Sequence, residues 1–268
     1  DVYKRQNGIL LEASKFKLKS KKSLSDNTSA YGGINFNNEL EAFKNNSNQT
    51  QDNKYYGWIT NTNVTPTGSL NAKKGGMITM LGGEEFPSTF RSIGKDSRQQ
   101  INGLIEGLQY ETLLSFDYEK LEWSPSLATH WKISSDSLTY WFRLNPNGKW
   151  ADGRDVIAED IVSTFKLLID DGHQDPNVAN YWDELFEVPV SESKYIIKVT
   201  AKKKDWRTFQ SMAWFTVYPS TYLNKVDGSG FLEKYDFNFM PGSGPYTYAV
   251  SYTHLRAHET SLHLVCRL

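Results

Sequence analysis

The hydrophobic pattern of the chain changes from the period of a strand to the period of a helix between Trp131 and Ile169. Thr139 to Leu144 (TYWFRL) alternates apolar and polar side chains, and Ser134 to Ser137 place turn residues before it, so this stretch predicts a hairpin with one buried face. Ala158 to Ile169 then repeats apolar residues along one side, which predicts an amphipathic helix. A hairpin followed by an amphipathic helix indicates that this stretch contains both strands and helices.

The start of this helix carries two acidic residues but no good capping residue. Glu159 and Asp160 lie in the first turn, where the helix dipole stabilises negative charge. Ile157 precedes the helix and cannot accept the hydrogen bonds that Ser, Thr or Asp accept there, a loss of about 1 kcal/mol. We therefore expect either that Asp155 moves the cap two residues earlier or that the first turn frays.

Shorter patterns predict the elements on either side of this stretch. Met77 to Leu81 (MITML) is an apolar run between two glycine pairs and predicts a buried strand. A helix is predicted from about Ser97, with an apolar stripe formed by Ile101, Leu104, Ile105 and Leu108. The later predicted elements are a strand over Lys194 to Thr200, a helix over Asp205 to Met212 and a strand over Ala213 to Tyr218.

The two ends of the chain differ in character from the stretch between them. Residues 1–6 (DVYKRQ) and 251–268 (SYTHLRAHETSLHLVCRL) resemble translated sequencing-adapter read-through, and we expect neither to belong to the native protein. Residues 7–74 are rich in Asn, Ser, Lys and Thr, which bury little apolar surface, so we expect a flexible extension. Tyr55 to Ile59 interrupt it and are predicted to dock as one short strand. The ordered domain is then expected over residues 75–250.

Composition excludes several classes of function. Lysine and arginine together number 30 and aspartate and glutamate 31, and no basic block with interleaved aromatic residues stands out, so nucleic acid is not an expected partner. No apolar run reaches the length needed to cross a bilayer. The one cysteine, Cys266, lies in the adapter-like tail, so cysteine content does not decide between an exported and a cytosolic protein.

A series of motifs between Tyr110 and Leu168 matches one known family in order and spacing. The motifs read YETLLSFD, SPSLATHW, ISSDSLTYWFRL, KWADG and AEDIVSTFKLL. They resemble YEgLl, P-sLA-sW, SdDgltytFhLR, kWsDG and TAeDV of the extracellular solute-binding proteins of family 5, the oligopeptide, dipeptide and nickel receptors that feed ABC importers. MITML and the turn PGSGPY also resemble elements of this family, so the resemblance covers about residues 75–249. The family has proline and threonine where this chain has Asp155 and Ile157.

The resemblance implies the α/β fold of type II periplasmic binding proteins. Residues 75–250 would form the N-terminal part, with a subdomain at about 110–190 inserted in the first lobe and the second lobe missing. It implies capture of a peptide between two lobes and delivery to the permease and ATPase subunits of an importer. It implies no cofactor, and a monomer that is periplasmic or extracytoplasmic, held at the membrane by an anchor or by the permease. Nickel, haem or oligosaccharide as the ligand, and a sensory receptor of the same fold, stay open as alternatives.

The family's geometry also suggests which residues meet the ligand. The loop from Glu84 to Pro87 and the turn from Lys95 to Ser97 are expected to face the cleft. Trp214 and Phe215 are expected there too, because their predicted strand ends near the returning GSGPY turn. The predicted ligand contacts are Glu85, Phe86, Lys95, Asp96, Ser97, Trp214 and Phe215.

An enzyme is the alternative from a different class. Asp152, Asp155, Glu159 and Asp160 cluster beside Trp150, and paired acids with aromatic residues are typical of glycosidases, with Asp152 and Glu159 as the candidate catalytic pair. Turn chemistry and the helix dipole explain the same acids, and we favour that interpretation. The sequence has no nucleophile elbow, phosphate loop or zinc motif. No enzyme is therefore expected.

The remaining conspicuous side chains are expected to pack rather than to bind. Outside the adapter-like tail, which holds the other three histidines, the chain has only His130 and His173, too few to form a metal site by themselves. Three tryptophans of the hairpin motifs, Trp131, Trp141 and Trp150, are expected in the core.

Overall fold

The computed structural model describes residues 57–61, 87–244, 246–249 and 263–266. Its main sheet has five antiparallel strands in the order β1-β4-β5-β7-β6. These strands are β1 (Trp58–Ile59), β4 (Ala128–Ile133), β5 (Thr139–Leu144), β6 (Val190–Ser193) and β7 (Ile196–Thr200). The predicted strand over MITML lies outside the described residues.

The predicted hairpin is confirmed as β4 and β5. Trp131 pairs with Phe142 across the two strands, and both side chains are buried on the inner face of the sheet. Trp58 and Ile59 pair with β4 at the edge, which confirms the short docking strand predicted for that region. Trp141 is only half-buried, which corrects the expectation of a core residue, because it points to the outer face beneath the Lys132 ammonium.

Helices cover the inner face of the sheet and continue the chain beyond it. They are α1 (Gln100–Gln109), α2 (Ala158–Leu168), α3 (Pro176–Leu185), α4 (Trp206–Ala213), α5 (Ser220–Leu223) and α6 (Gly228–Lys234), with a 3-10 turn at Asp171–His173. Helix α2 packs on β6 and β7 and is buried along most of its length, since Phe165 and Ile161 are fully inside the core. The predicted helices at 97, 158 and 205 are thus confirmed, with starts shifted by up to three residues.

The start of α2 corrects both expectations about its cap. Ile157 is the N-cap residue, and the helix does not fray, because the Asp160 carboxylate accepts a hydrogen bond from the Ile157 backbone N–H at 2.9 Å. Asp155 does not cap the helix. Its carboxylate pairs with Lys194 at 2.7 Å and with Lys149.

The predicted strand over Ala213 to Tyr218 is wrong. Helix α4 ends at Ala213 with Trp214 as its C-cap, and the following residues form a single bridge, between Thr112 and Thr216. The Leu113 backbone N–H donates to the Phe215 carbonyl beside it. Two extended segments therefore meet here without becoming a ladder.

The described strands also include two smaller antiparallel pairs. One is the hairpin of β2 (Leu114–Asp117) and β3 (Glu122–Pro125), and the other is β8 (Tyr246–Ala249) with β9 (His263–Cys266). Strand β9 lies inside the segment expected to be adapter sequence. The subdomain boundary expected near residue 190 falls at the start of β6, and the main sheet continues to Thr200. The domain division stays a prediction.

Candidate functional site

A cavity of about 30 Å³ lies where α1, the segment 90–92 and the segment 231–240 meet. Phe90, Phe231 and Phe239 supply much of its apolar wall. Asn238 is the exposed residue among those that line it. The cavity has room for one or two water molecules or a small polar group.

The carboxylate of Glu106 lies at this cavity, one turn before the end of α1. It accepts a hydrogen bond from the Tyr218 hydroxyl at 3.0 Å, and the same hydroxyl pairs with Ser92. Burial raises the pKa of Glu106, against the opposing hydrogen bonds from Tyr218 and Thr216. A desolvated carboxylate of this kind is more common at binding sites than on ordinary surfaces.

Tyr110, the tyrosine of the YETLL motif, closes the cavity from the α1 side. Its hydroxyl donates to the Met240 carbonyl at 2.8 Å, and Gln109 Nε2 donates to the same oxygen at 2.8 Å. The Tyr110 and Tyr218 rings lie 4.6 Å apart. Two donors on one carbonyl fix the segment around Met240 against α1, so this tyrosine has a structural role.

Three of the residues that line this cavity each have one buried polar atom with no hydrogen-bond partner within the part of the chain that the structure describes. These atoms are Arg91 Nε, Asn102 Oδ1 and the Tyr235 hydroxyl. The other polar groups of Arg91 and Asn102 are bonded: Arg91 reaches Asp236 at 3.3 Å and Asn102 Nδ2 donates to the Ser97 carbonyl at 2.9 Å. The residues are therefore held in place while one atom of each stays unpaired.

The predicted turn from Lys95 to Ser97 follows the segment that lines the cavity but contacts a different element. The Lys95 backbone N–H donates to the His173 carbonyl of the 3-10 turn at 2.8 Å. Asp96 adopts a left-handed backbone with φ of 59°, and Ser97 is buried. Glu85 and Phe86 lie outside the described residues.

Trp214 and Phe215 are adjacent in sequence but lie in different environments. Trp214 is 41% exposed, and its ring packs edge to face on Trp123 at 5.5 Å. Phe215 is 1% exposed and packs on Trp182 inside the core. Neither lines the cavity. A ligand in the arrangement described here could reach Trp214 but not Phe215.

The candidate catalytic acids do not have the properties of a glycosidase pair. Asp152 accepts a hydrogen bond from Arg154 Nε at 3.0 Å, and this interaction lowers the pKa of its carboxyl group. A general acid needs the opposite shift. Glu159 lies in the first turn of α2, where the dipole favours it.

Two further properties concern only the described residues. None of their helices is long and apolar enough to span a bilayer. Within them, no group of three or more His, Cys, Asp or Glu side chains is placed to hold a metal ion.

The comparison with protein families gives one match. Residues 122–254, close to half of the chain, match the model of the bacterial extracellular solute-binding proteins, family 5 Middle. The match begins at β3 and includes the main hairpin, α2 and the segment 231–240 at the cavity.

Curated relatives match over part of their length. The chain is 34% identical over 108 residues to the periplasmic murein peptide-binding protein MppA of Escherichia coli, covering 39% of this chain and 18% of that protein. It is 30% identical over 119 residues to the dipeptide-binding protein DppE of Bacillus subtilis, covering 42% of this chain and 21% of that protein. The chain thus spans about a fifth of the length of these two relatives.

A solved structure agrees at the level of fold. The oligopeptide-binding protein AppA of Bacillus subtilis, in complex with a nonapeptide, superposes with a TM-score of 0.55 at 24% identity. The superposition covers 64% of this chain and 34% of AppA. It shows a mixed α/β fold shared with part of a peptide-binding protein.

Proposed function

Because the chain belongs to family 5 of the bacterial extracellular solute-binding proteins, we propose that it is part of an ABC-importer receptor that binds peptides. The observation that carries the proposal is that the two relatives described above, at 34% and 30% identity, are named for binding peptides. The family consists of binding proteins and not of enzymes, so the glycosidase alternative on Asp152 and Glu159 is not retained.

The proposed fold is that of a type II periplasmic binding protein, with the described sheet as the extra subdomain of the first lobe. A peptide would lie extended against this lobe, pairing its main chain with polar groups of the protein. Binding would shift the population of the receptor toward a closed form about a hinge. The permease would recognise that closed form.

The proposed partners are the permease and ATPase subunits of an importer, and the proposed location is outside the cytoplasm.

Ligand binding by the protein expressed from its complete reading frame tests the proposal. Isothermal titration with tetra-alanine should show binding and a raised melting temperature, because a ligand that binds only the folded state stabilises it. Ni²⁺, haem and a linear oligosaccharide are the comparison ligands. Binding of one of these three with no response to any peptide would contradict the peptide assignment.

A further inference from the structure

The segment from Ala201 to Arg207 (AKKKDWR), called the basic loop below, joins β7 to α4 and displays an exposed tryptophan beside a run of lysines. Trp206 is 80% exposed, the largest exposed fraction among the large hydrophobic side chains of the described residues. Lys203 and Lys204 are exposed close to it in sequence. Within the described ranges, three lysines follow one another only here.

Hydrogen bonds at both ends hold the basic loop in place. The Lys202 backbone N–H donates to the Leu185 carbonyl at 2.9 Å, where the chain leaves β7. At the other end, the Asp205 carboxylate caps α4 by accepting from the Arg207 N–H at 2.9 Å. The side chains between these two points therefore project from a fixed backbone.

Trp206 is not part of the core that α4 helps to form. Phe209, one turn later on the helix, packs on Trp123 and Phe142. Trp206 has no ring contact, hydrogen bond or cation–π contact with the described residues, and it does not pack against the core cluster. Burial of a large apolar side chain against a partner would provide free energy that the exposed side chain does not. Trp206 is therefore available to a partner outside the chain.

Two of the four cations in the basic loop already have an acidic partner. Lys202 pairs with Asp183 of α3 at 3.2 Å. Arg207 Nε donates to the Asp205 carboxylate at 3.0 Å, so the residue that caps α4 also neutralises this guanidinium.

Lys203 and Lys204 form no ion pair within the described part of the chain. The remaining acid nearby is Asp136, in the turn before β5. A hydrogen bond from the Ser134 hydroxyl is the main cause that holds the pKa of Asp136 below its usual range, and the charge of Lys204 adds to it. Four cations thus face three carboxylates, and the positive excess lies beside Trp206.

An anionic lipid surface fits this combination of side chains. Tryptophan is favoured at the boundary between water and the lipid headgroups, because one end of its ring system is apolar and the other donates a hydrogen bond. Lysines close to such a surface are attracted to its anionic lipids. One aromatic residue beside three lysines is too little for the extended basic face that nucleic acid needs.

We propose that the basic loop rests on the anionic surface of a membrane, with Trp206 in the headgroup region and Lys203 and Lys204 against the lipid phosphates. The contact is weak by itself, because stable attachment takes more than one such signal. It sets the orientation of the protein at the membrane. The inference goes beyond the proposed receptor function and does not depend on which ligand the receptor carries.

Vesicle binding tests the role of the two lysines. The protein from the complete reading frame should bind vesicles of phosphatidylglycerol and phosphatidylcholine in equal parts and should bind phosphatidylcholine vesicles more weakly. The double variant Lys203→Glu, Lys204→Glu should lower binding to the mixed vesicles about tenfold. Lys225→Glu with Lys234→Glu is the matched control, since it changes the net charge equally at exposed lysines elsewhere, and should cost less than about threefold. Equal losses in the two double variants would overturn the proposal.

Trp206→Ala separates insertion of the tryptophan from the attraction of charge alone. The variant should lower binding to the mixed vesicles about three- to tenfold, because the apolar contact with the lipid is lost. Its melting temperature should stay that of the parent, since the side chain is exposed. Tyr118→Ala removes another exposed aromatic side chain, from the hairpin of β2 and β3, and should leave vesicle binding unchanged. Parent-like binding by Trp206→Ala would contradict the proposal.

Two further results would also reject the lipid contact. Equal binding of the parent to both kinds of vesicle would show that anionic lipid is not recognised. Absence of binding to either kind would exclude the membrane, and a loss of peptide uptake by cells with the Lys203→Glu, Lys204→Glu variant would then assign the loop to an acidic protein. Titration with tetra-alanine is independent of these outcomes, so failure of the lipid contact and failure of the peptide function are distinguished.

Discussion

Two carboxylates on neighbouring helices, Asp160 of α2 and Glu106 of α1, show opposite ways of holding a polar group inside this protein. Asp160 accepts four hydrogen bonds, from Trp150 Nε1 at 3.0 Å, Ile157 N–H at 2.9 Å, Ser220 N–H at 2.8 Å and Ser220 Oγ at 2.5 Å. Every one of these donors belongs to the described chain. The KWADG turn, the start of α2 and the start of α5 are joined at one side chain.

The polar groups around Glu106 are hydrogen-bonded less completely than those around Asp160. Tyr218 and Thr216 are the hydrogen-bonding partners of Glu106. The contrast shows that a buried carboxylate whose hydrogen bonds all come from its own chain holds several elements together, as Asp160 does. Near Glu106, three residues each keep one buried polar atom without a partner among the described residues, so this region is hydrogen-bonded less completely.

The residues Asp160 and Glu106 are connected through Thr164, which contacts the backbone of Asp160 and not its carboxylate. The Thr164 hydroxyl donates to the Asp160 carbonyl at 2.7 Å and accepts from the Tyr218 N–H at 3.0 Å. Tyr218 then donates from its hydroxyl to Glu106. The comparison can therefore be tested at Asp160, at Glu106 and at Thr164, which lies between them.

The largest effect is expected from Asp160→Ala. The change leaves four donors without an acceptor, three of them buried and one partly buried, so the free energy of unfolding should fall by about 3–5 kcal/mol in urea denaturation. Glu159→Ala is the matched control on the same turn and should cost less than about 1 kcal/mol, since only its interaction with the helix dipole is lost. Similar losses for the two variants would show that Asp160 does not hold these elements together.

As the pH is lowered, we expect the first loss of folding stability to come from His130 and not from either carboxylate. Burial, and secondarily Arg143, lower the pKa of His130 from 6.5 to about 3 in the folded protein. The folded state thus favours the neutral ring, so this contribution to stability is present above pH 6.5 and is lost as the pH falls toward 3. The expected slope is up to about 1.4 kcal/mol per pH unit.

His130→Gln should flatten this part of the profile of unfolding free energy against pH. If the slope is the same in the variant, His130 is not its source. The flattened background also allows the titration of Glu106 to be measured separately.

Thr164→Val should give an intermediate effect. The variant keeps the shape of the side chain but leaves the Tyr218 N–H without an acceptor, a cost of about 1–3 kcal/mol. Thermal unfolding measures it, with Thr221→Val, at an exposed position of α5, as the control. A loss no larger than that of the control would mean that the two regions are not coupled through this hydroxyl.

The smallest effect is expected at Glu106. Its folded pKa is raised above the ordinary value near 4.5, so its ionisation favours the unfolded state, and stability falls as the pH rises through the folded pKa. Glu106→Gln removes this ionisation and can still accept from Tyr218. The variant should therefore gain stability relative to the parent as the pH increases from about 4.5, and a difference that does not change with pH would contradict the assignment.

The parts of the fold that were predictable are those fixed by short-range patterns. The hairpin of β4 and β5 and the helix α2 follow from the alternation at Thr139 to Leu144 and the apolar stripe after Ala158. Helix α3 was missed although two signals for it were available. Val178, Trp182 and Leu185 follow helical spacing, and Asp175-Pro176 is an N-cap followed by proline at the first helical position.

The remaining differences between the predicted and the observed elements arise from tertiary contacts. Apolar and β-branched residues after Ala213 predicted a strand. In the structure these residues pair with Thr112 at a single bridge, which is too short to form a strand. The cap of α2 comes from Asp160 at the third helical position, which a scan for a capping residue before the helix does not consider. The cavity was not predictable, because Arg91, Asn102 and Tyr235 are brought together only by folding and share no sequence pattern.

The bridge between Thr112 and Thr216 brings two points of the chain side by side that are far apart in sequence. The chain leaves at one point and returns beside it, so the intervening stretch is attached to the rest through two adjacent connections. The stretch also packs on the rest of the protein, since Asp160 accepts hydrogen bonds from Ser220 of α5. It should also accept circular permutation, with new termini opened in the turn between β4 and β5 and the old ones joined by a short linker.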